Sequence, residues 1–200
     1  MRATTMRTRA VTAVLVATLG LSVAACEGSD KPTPTTTGVL EAGDLPATPE
    51  SSASAKVTPQ LSQYCGFDYA GIFGPGFDID GVEYSDVDGA TIVSTVSRLP
   101  GTNLTEARIG DIRAEFERCR ASTEPGPDGE RLKEIPVGEG RFGYESYAKD
   151  GSLEGRVGFA YAKQAYVTVS TTFTAGADTS LDLTALLAQA VTRADAAAKS

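Results

Sequence analysis

Residues 81–99 read Gly81-Val-Glu-Tyr-Ser-Asp-Val87, then Asp88-Gly89, then Ala90-Thr-Ile-Val-Ser-Thr-Val-Ser-Arg-Leu99. Two runs rich in β-branched residues flank a dipeptide in which both residues tolerate positive φ. That combination predicts a two-stranded antiparallel hairpin. Pro100-Gly101 ends its second strand. The same reading extends to the C-terminal half. Arg131 to Val137 and Phe142 to Ala148 read as strands, and Arg156 to Ala162 with Ala165 to Phe173 reads as a second hairpin. In that hairpin Val157, Phe159 and Tyr161, then Val167, Val169 and Phe173, alternate at period two.

Two helices complete the set. Asn103 to Arg120 carries Ile109, Ile112, Phe116 and Cys119 at spacings of three and four, which places them on one face. Asn103 and Glu106 suit a capping box at its start. Ser180 is placed to cap the second helix, whose Leu183, Leu186, Leu187, Ala190, Val191 and Ala194 face inward and whose end carries Lys199. Hairpin connections throughout predict an α+β fold in the order ββ-α-ββββ-α, an antiparallel β-sheet with two main helices packed on one face.

Toward the N-terminus the composition changes. Glu27 to Pro59 holds five of the ten prolines and the run Pro32-Thr-Pro-Thr-Thr-Thr37. Such a stretch has too little apolar surface to offset the entropy of ordering, so residues 26–59 read as an extended tether. Within it, Val39-Leu40-Glu-Ala-Gly-Asp44-Leu45-Pro46 is more apolar and suits a short turn docked on the domain. The folded domain is then expected over residues 60–200, with a short helix from Gln60 to Phe67 bringing Cys65 to the core and a glycine-rich loop from Gly71 to Gly81.

Residues 1–25 are of a third kind. Arg2, Arg7 and Arg9 precede an apolar stretch from Val11 that ends Val23-Ala24-Ala25-Cys26. A basic start, a short apolar middle and small residues at the end mark a secretory signal. The stretch is about 22 Å long as a helix, short of the roughly 30 Å hydrocarbon core of a bilayer. With a cysteine directly after the small residues, the segment resembles the lipobox of bacterial lipoproteins. The resemblance implies lipidation of Cys26, cleavage before it, and a domain held to the outer side of the cell membrane. Three of the 18 basic residues and none of the 26 acidic ones lie in 1–25, so the remainder carries a net charge of −11. Such a chain is repelled by nucleic acid and by anionic headgroups.

Three cysteines outside the cell leave one to explain. If Cys26 carries lipid, Cys65 and Cys119 remain, and in an oxidising compartment a lone pair is most simply a disulfide. It would close a loop of about 55 residues, worth about 4 kcal/mol by the chain-entropy model.

Catalytic constellations are scarce. The chain has no His, which excludes a Ser-His-Asp triad and a Cys-His pair. The glycine-rich stretches lack Gly-Lys-Ser/Thr. Asp78, Asp80, Asp86 and Asp88 lack EF-hand spacing. Glu139 and Glu145 are the one acid/base pair to consider, and no metal or cofactor is implied. The stronger signal is aromatic and cationic: Tyr84, Tyr144, Tyr147, Tyr161 and Tyr166, with Arg98, Arg141 and Arg156. Tyr84, Arg98, Tyr144, Glu145, Arg156 and Tyr161 are the expected ligand-binding set, on a sheet face able to hold a small molecule, lipid or glycan.

Taken together, the lipobox, the Thr/Pro tether, Leu40-x-x-x-Asp44-Leu45-Pro46, Cys65, Cys119 at the end of a helix, Gly143-Tyr144-Glu145-Ser146 and the final helix resemble the extracytoplasmic sensor-domain lipoproteins of actinobacteria. The domain of that family is similar to the extracellular part of PknH-type membrane Ser/Thr kinases. Tyr144 departs from the acidic residue usual at that place in the family, and this chain has one cysteine pair where one family pattern has two. The resemblance implies a non-catalytic ligand-binding or sensor module of the cell envelope, with an envelope protein as a further partner. A lipid or glycolipid carrier, which needs an apolar cavity, and an envelope hydrolase are the alternatives.

Overall fold

The computed structural model describes residues 37–55, 78–98, 107–124, 129, 131–163 and 165–198. All of them fall in one compact unit, Pro32–Ser200. The elements are a 3-10 turn at Ala42–Asp44, β1 (Ser51–Ser54), β2 (Asp78–Val87), β3 (Ala90–Arg98), α1 (Ala107–Ser122), β4 (Leu132–Ile135), β5 (Phe142–Tyr147), β6 (Leu153–Ala162), β7 (Ala165–Phe173) and α2 (Leu183–Ala197). The seven strands form one sheet in the order β1-β2-β3-β7-β6-β5-β4. Every pairing is antiparallel. The α+β antiparallel fold expected from the alternation is therefore the one observed.

The hairpin at Asp88-Gly89 forms as its chemistry dictates. Asp88 and Gly89 have φ of 51° and 78°, the pair of positive values that a two-residue turn matching strand twist requires. Just before it, the register shifts between Tyr84 and Val87. Asp86 there has φ 52°, and its carboxylate accepts a hydrogen bond from the Gly89 N–H at 3.1 Å.

The helices do not share a face. On β6, Val157, Phe159 and Tyr161 belong with Ile109, Ile112, Phe116 and Cys119 of α1. The alternate residues Ala160 and Ala162 belong with Leu183, Leu186, Leu187, Ala190 and Ala194 of α2. Period-two geometry makes those two sets opposite faces, so the expected packing on one face is corrected to a sheet with α2 on one side and α1 on the other. Period and length reveal which residues of a helix are buried but not which side of a sheet buries them. Gly158 lets α2 approach: a Cβ there would lie 3.0 Å from Leu187 Cδ2. On the α1 side, Phe116, Phe142, Tyr144 and Phe159 form a ring cluster with centroids 5.1 to 6.3 Å apart, a spacing at which aromatic pairs attract beyond their area burial.

The tether reading of residues 26–59 is corrected over its described part. Residues 37–55 form a strap across the α2 side and one edge of the sheet. Leu40 is wholly buried and Val39 nearly so. The Leu40 N–H donates to Ser94 Oγ at 3.1 Å. The Asp44 carboxylate accepts from Arg193 at 3.0 and 2.9 Å and from Gln189 at 2.9 Å. Ser51–Ser54 then adds an edge strand to β2. Four residues with three serines carry no strand signal, so this element comes from the neighbouring edge rather than from local propensity. The anticipated docking of the Val39–Pro46 stretch is found.

At α2, the cap is Asp182, not Ser180: its Oδ1 accepts from Ala185 N–H at 3.0 Å. The expected Asn103 cap, the Gln60–Phe67 helix, most of the Gly71–Gly81 loop, Cys26 and Cys65 lie outside the described residues. Among the described residues, no helix is long and apolar enough to cross a membrane.

Candidate functional site

The expected binding residues go to five different places. Tyr84 is buried in the α2-side core, and its hydroxyl donates to the Leu40 carbonyl at 2.9 Å. Tyr144 is wholly buried in the ring cluster under α1. Packing takes up both of these rings. Arg98 is half-exposed and holds the start of the strap, donating to the Thr37 carbonyl at 2.8 Å and to Asp80 at 3.2 Å. Tyr161 lies on the α1 side near the β6–β7 turn, with its ring 5.6 Å from that of Tyr166.

Glu145 and Arg156 do meet, as cross-strand partners on the α2 side. Arg156 Nε donates to Glu145 Oε1 at 2.9 Å, while Nη1 reaches the carbonyls of Thr179 and Leu181. The guanidinium also lies over the Phe173 ring, 5.5 Å from its centroid. Tyr147 donates to Glu145 Oε2 at 2.6 Å. Burial pushes the Glu145 carboxyl upward, but the hydrogen bonds from Tyr147 and Arg156 and the charges of Arg156 and Lys133 outweigh it, and the group sits below the usual carboxylate range. Burial first, and then the Glu145 hydrogen bond and charge, push the Tyr147 phenol to about 12. A carboxylate held ionised by two donors is a poor general acid. The node ties the loop before α2 to the sheet. Glu139, the other acid considered, lines a shallow cleft of about 420 Å³ with Arg113 and Arg141. Among the described residues, no cluster of His, Cys, Asp or Glu is able to hold a metal ion.

A different set stands out on the α1 side. Thr95 and Ser97 of β3, and Thr168 and Ser170 of β7, are 4%, 8%, 6% and 8% exposed. Register places them together: Thr95 faces Thr168, Ser170 faces Val93, and Ser97 faces Tyr166. The next strand contributes Phe159 opposite Thr168 and Tyr161 opposite Tyr166. Among the described residues, none of these four hydroxyls has a hydrogen-bond partner in the protein, and none is sealed from solvent-accessible space. By contrast, Ser94 and Thr171, on the opposite face, have backbone partners. These hydroxyls are therefore open to water and form a polar row on two adjacent, otherwise largely covered strands. Glu83, opposite Val93, is the one charged side chain that β2, β3 and β7 place on this face. These residues were legible as strand residues. Alternation put the hydroxyls of Thr168 and Ser170 opposite Val167 and Val169, but a Ser/Thr face reads in sequence as the wet side of a sheet, and here it is largely covered.

No protein-family model matches the chain, and no curated protein matches it. Among solved structures, the chain is similar to the extracellular domain of PknH from Mycobacterium tuberculosis. Identity is 11% and the TM-score is 0.47, over 76% of this chain and 84% of that one. A superposition so loose transfers no residue from one chain to the other.

Proposed function

We propose that this protein is a lipid-anchored, extracytoplasmic binding module of a bacterial cell envelope that acts without catalysing a reaction. The observation that supports the binding part is the row of Thr95, Ser97, Thr168 and Ser170 on one face of β3 and β7, whose hydroxyls stay open to solvent and have no protein partner among the described residues. Anchoring rests on the sequence: a basic start, a short apolar stretch and Ala24-Ala25-Cys26. A disulfide between Cys65 and Cys119 is part of the reading. It is supported by the odd cysteine count and by Cys119, wholly buried on the inward stripe of α1. A polar face favours ligand binding over lipid carriage, which calls for an apolar cavity.

Mass spectrometry of the protein isolated gently from its own cells tests the binding part. A co-purifying small molecule that is lost on Thr168→Val is expected, and a Thr168→Val form that keeps the same molecule overturns the site. For the anchor, Cys26→Ser should leave the membrane fraction and remain unprocessed. Continued partition with membranes removes that part, and free alkylation of both remaining thiols in unreduced protein removes the disulfide.

A further inference from the structure

The surface under the strap is cut to receive an extended chain. A Cβ on Gly81 of β2 would lie 2.5 Å from the Ala55 carbonyl oxygen, so glycine there lets the strap's backbone reach the sheet edge. At the other end, a Cβ on Gly38 would lie 3.2 Å from Ala197 Cβ, against the last turn of α2. Between these ends Leu40 is wholly buried, with Tyr84 on its carbonyl and Ser94 on its N–H. Arg193 and Gln189 clamp the Asp44 carboxylate, and β1 adds to the edge of β2. Strand addition, an apolar anchor and a clamped carboxylate are means by which proteins recognise segments of other molecules. We infer that two copies of this chain exchange residues 37–55, each strap lying on β2 and α2 of the other copy in a two-fold, strand-swapped dimer.

Each of these contacts joins the strap to β2, β3 or α2 and is the same whichever copy supplies the strap. Exchange of an identical element therefore gives up no contact. The choice between own and exchanged strap rests on the connection alone. Residues 56–77 join Ala55 to Asp78, and 22 residues reach at most about 73 Å. With Cys65 bridged to Cys119, the ten residues from Ala55 to Cys65 still reach about 33 Å. A short flexible linker supplies an effective concentration in the millimolar range, and a longer one less. Copies crowded to that density compete for the same groove. Release is easiest at β1, which is four residues long and largely exposed, the kind of edge that opens ahead of a core strand. This inference goes beyond the anchored-module reading and needs neither its ligand nor its anchor, which would serve only to crowd the copies.

The test uses full chains in detergent and a charge exchange. Asp44→Arg sets a like charge against Arg193, and Arg193→Asp sets one against Asp44, so each variant alone repels its own strap. A swapped heterodimer of the two restores an opposite-charge pair at both grooves. Each variant alone should be monomeric, with amide exchange in residues 39–45 at least tenfold faster than in wild type and with β3, β6 and β7 still protected. An equimolar mixture should form a 1:1 dimer by light scattering and recover protection over residues 39–45. A mixture that remains two monomers overturns the inference, as does a dimer whose straps stay unprotected. Should either variant fail to fold, wild type decides: unlabelled and heavy-isotope chains are mixed at about 1 mM, the scale of a linker's effective concentration, and weighed by native mass spectrometry. Mixed-mass dimers that fall at least tenfold in Asp44→Asn are expected. Monomers alone, or dimers indifferent to Asp44→Asn, overturn it. Neither arm involves a ligand or lipidation, so failure here leaves the anchored-module reading standing.

Discussion

The Tyr84 hydroxyl donates to the carbonyl of Leu40 at 2.9 Å, across 44 residues of sequence. Ser94, on the neighbouring strand, accepts from the N–H of the same leucine. The strap is thus held at one residue by both of its backbone groups, each paired with a side chain of the β2–β3 hairpin. Tyr84→Phe keeps the ring and removes the bond, leaving a buried carbonyl unpaired. It should cost about 1 kcal/mol and speed amide exchange in residues 39–45 ahead of the rest of the sheet. Hydrogen-exchange mass spectrometry checks this, and uniform exchange across the domain would count against a separately held strap.

Asp44 forms the second hold. Burial pushes its carboxyl up, yet hydrogen bonds from Arg193, from the Glu41 N–H and from Gln189, with the charge of Arg193, bring it below its ordinary value. A lowered folded-state value means the contribution to stability is present above the unfolded value and is lost as pH falls through the folded one. Urea unfolding of wild type and Asp44→Asn should differ by about 2 kcal/mol at pH 7. The difference should shrink steadily below pH 4. A gap that stays constant to pH 2 would show that ionisation of Asp44 is not what holds the strap.

Tyr147 gives a signal at the other end of the pH scale. Its phenol is pushed up to about 12, so its share of stability is complete below the unfolded value near 10 and is lost as pH rises through about 12. Ultraviolet difference titration should find one of the seven tyrosines ionising near 12. In Glu145→Gln that step should move back toward 10, although burial keeps it from returning the whole way. No change on that substitution would detach Tyr147 from the Glu145–Arg156 node.

Gly143 lies where β5 passes beneath Val137. A Cβ at that position would sit 2.6 Å from Val137 Cγ1 and 3.2 Å from the Val157 carbonyl oxygen. Gly143→Ala should destabilise by about 1–3 kcal/mol, the scale of an overpacked core, and Val137→Ala in the same chain should recover part of it. Thermal unfolding of the single and double variants measures the recovery.

Phe116 should be the most costly residue to truncate on α1. It is wholly buried, and its ring lies 5.1 Å from Phe142 and 5.3 Å from Tyr144. Phe116→Ala should cost about 3–5 kcal/mol. A loss under 1 kcal/mol in urea unfolding would mean that the helix is not anchored by this cluster.

Where local chemistry specifies structure, the sequence is readable here. Asp88-Gly89 marks a turn and Val167 to Phe173 a strand, and both appear as read. The inward stripe of α1 is the predicted one, with Ile109, Ile112, Phe116 and Cys119 all buried. What escaped depends on distant partners. Ser51–Ser54 is a strand because β2 offers an open edge. The side of the sheet chosen by each helix is set by packing, which periodicity does not encode. Tyr84 and Tyr144 have a polar tip and a flat body whether they bind a ligand or fill a core, and their burial decides for the core. Thr95 and Thr168 carry no mark in sequence that separates them from other strand hydroxyls.

The strap also determines how the molecule answers a pull. Tension applied through the chain ahead of Thr37 reaches the domain first at Arg98, which grips the Thr37 carbonyl, then at Leu40, then at the Asp44–Arg193 pair. These contacts are loaded one after another, so the strap should peel like an adhesive strip while the central strands remain unloaded. Under such a load the strap should lengthen before the β3–β7 surface is disturbed.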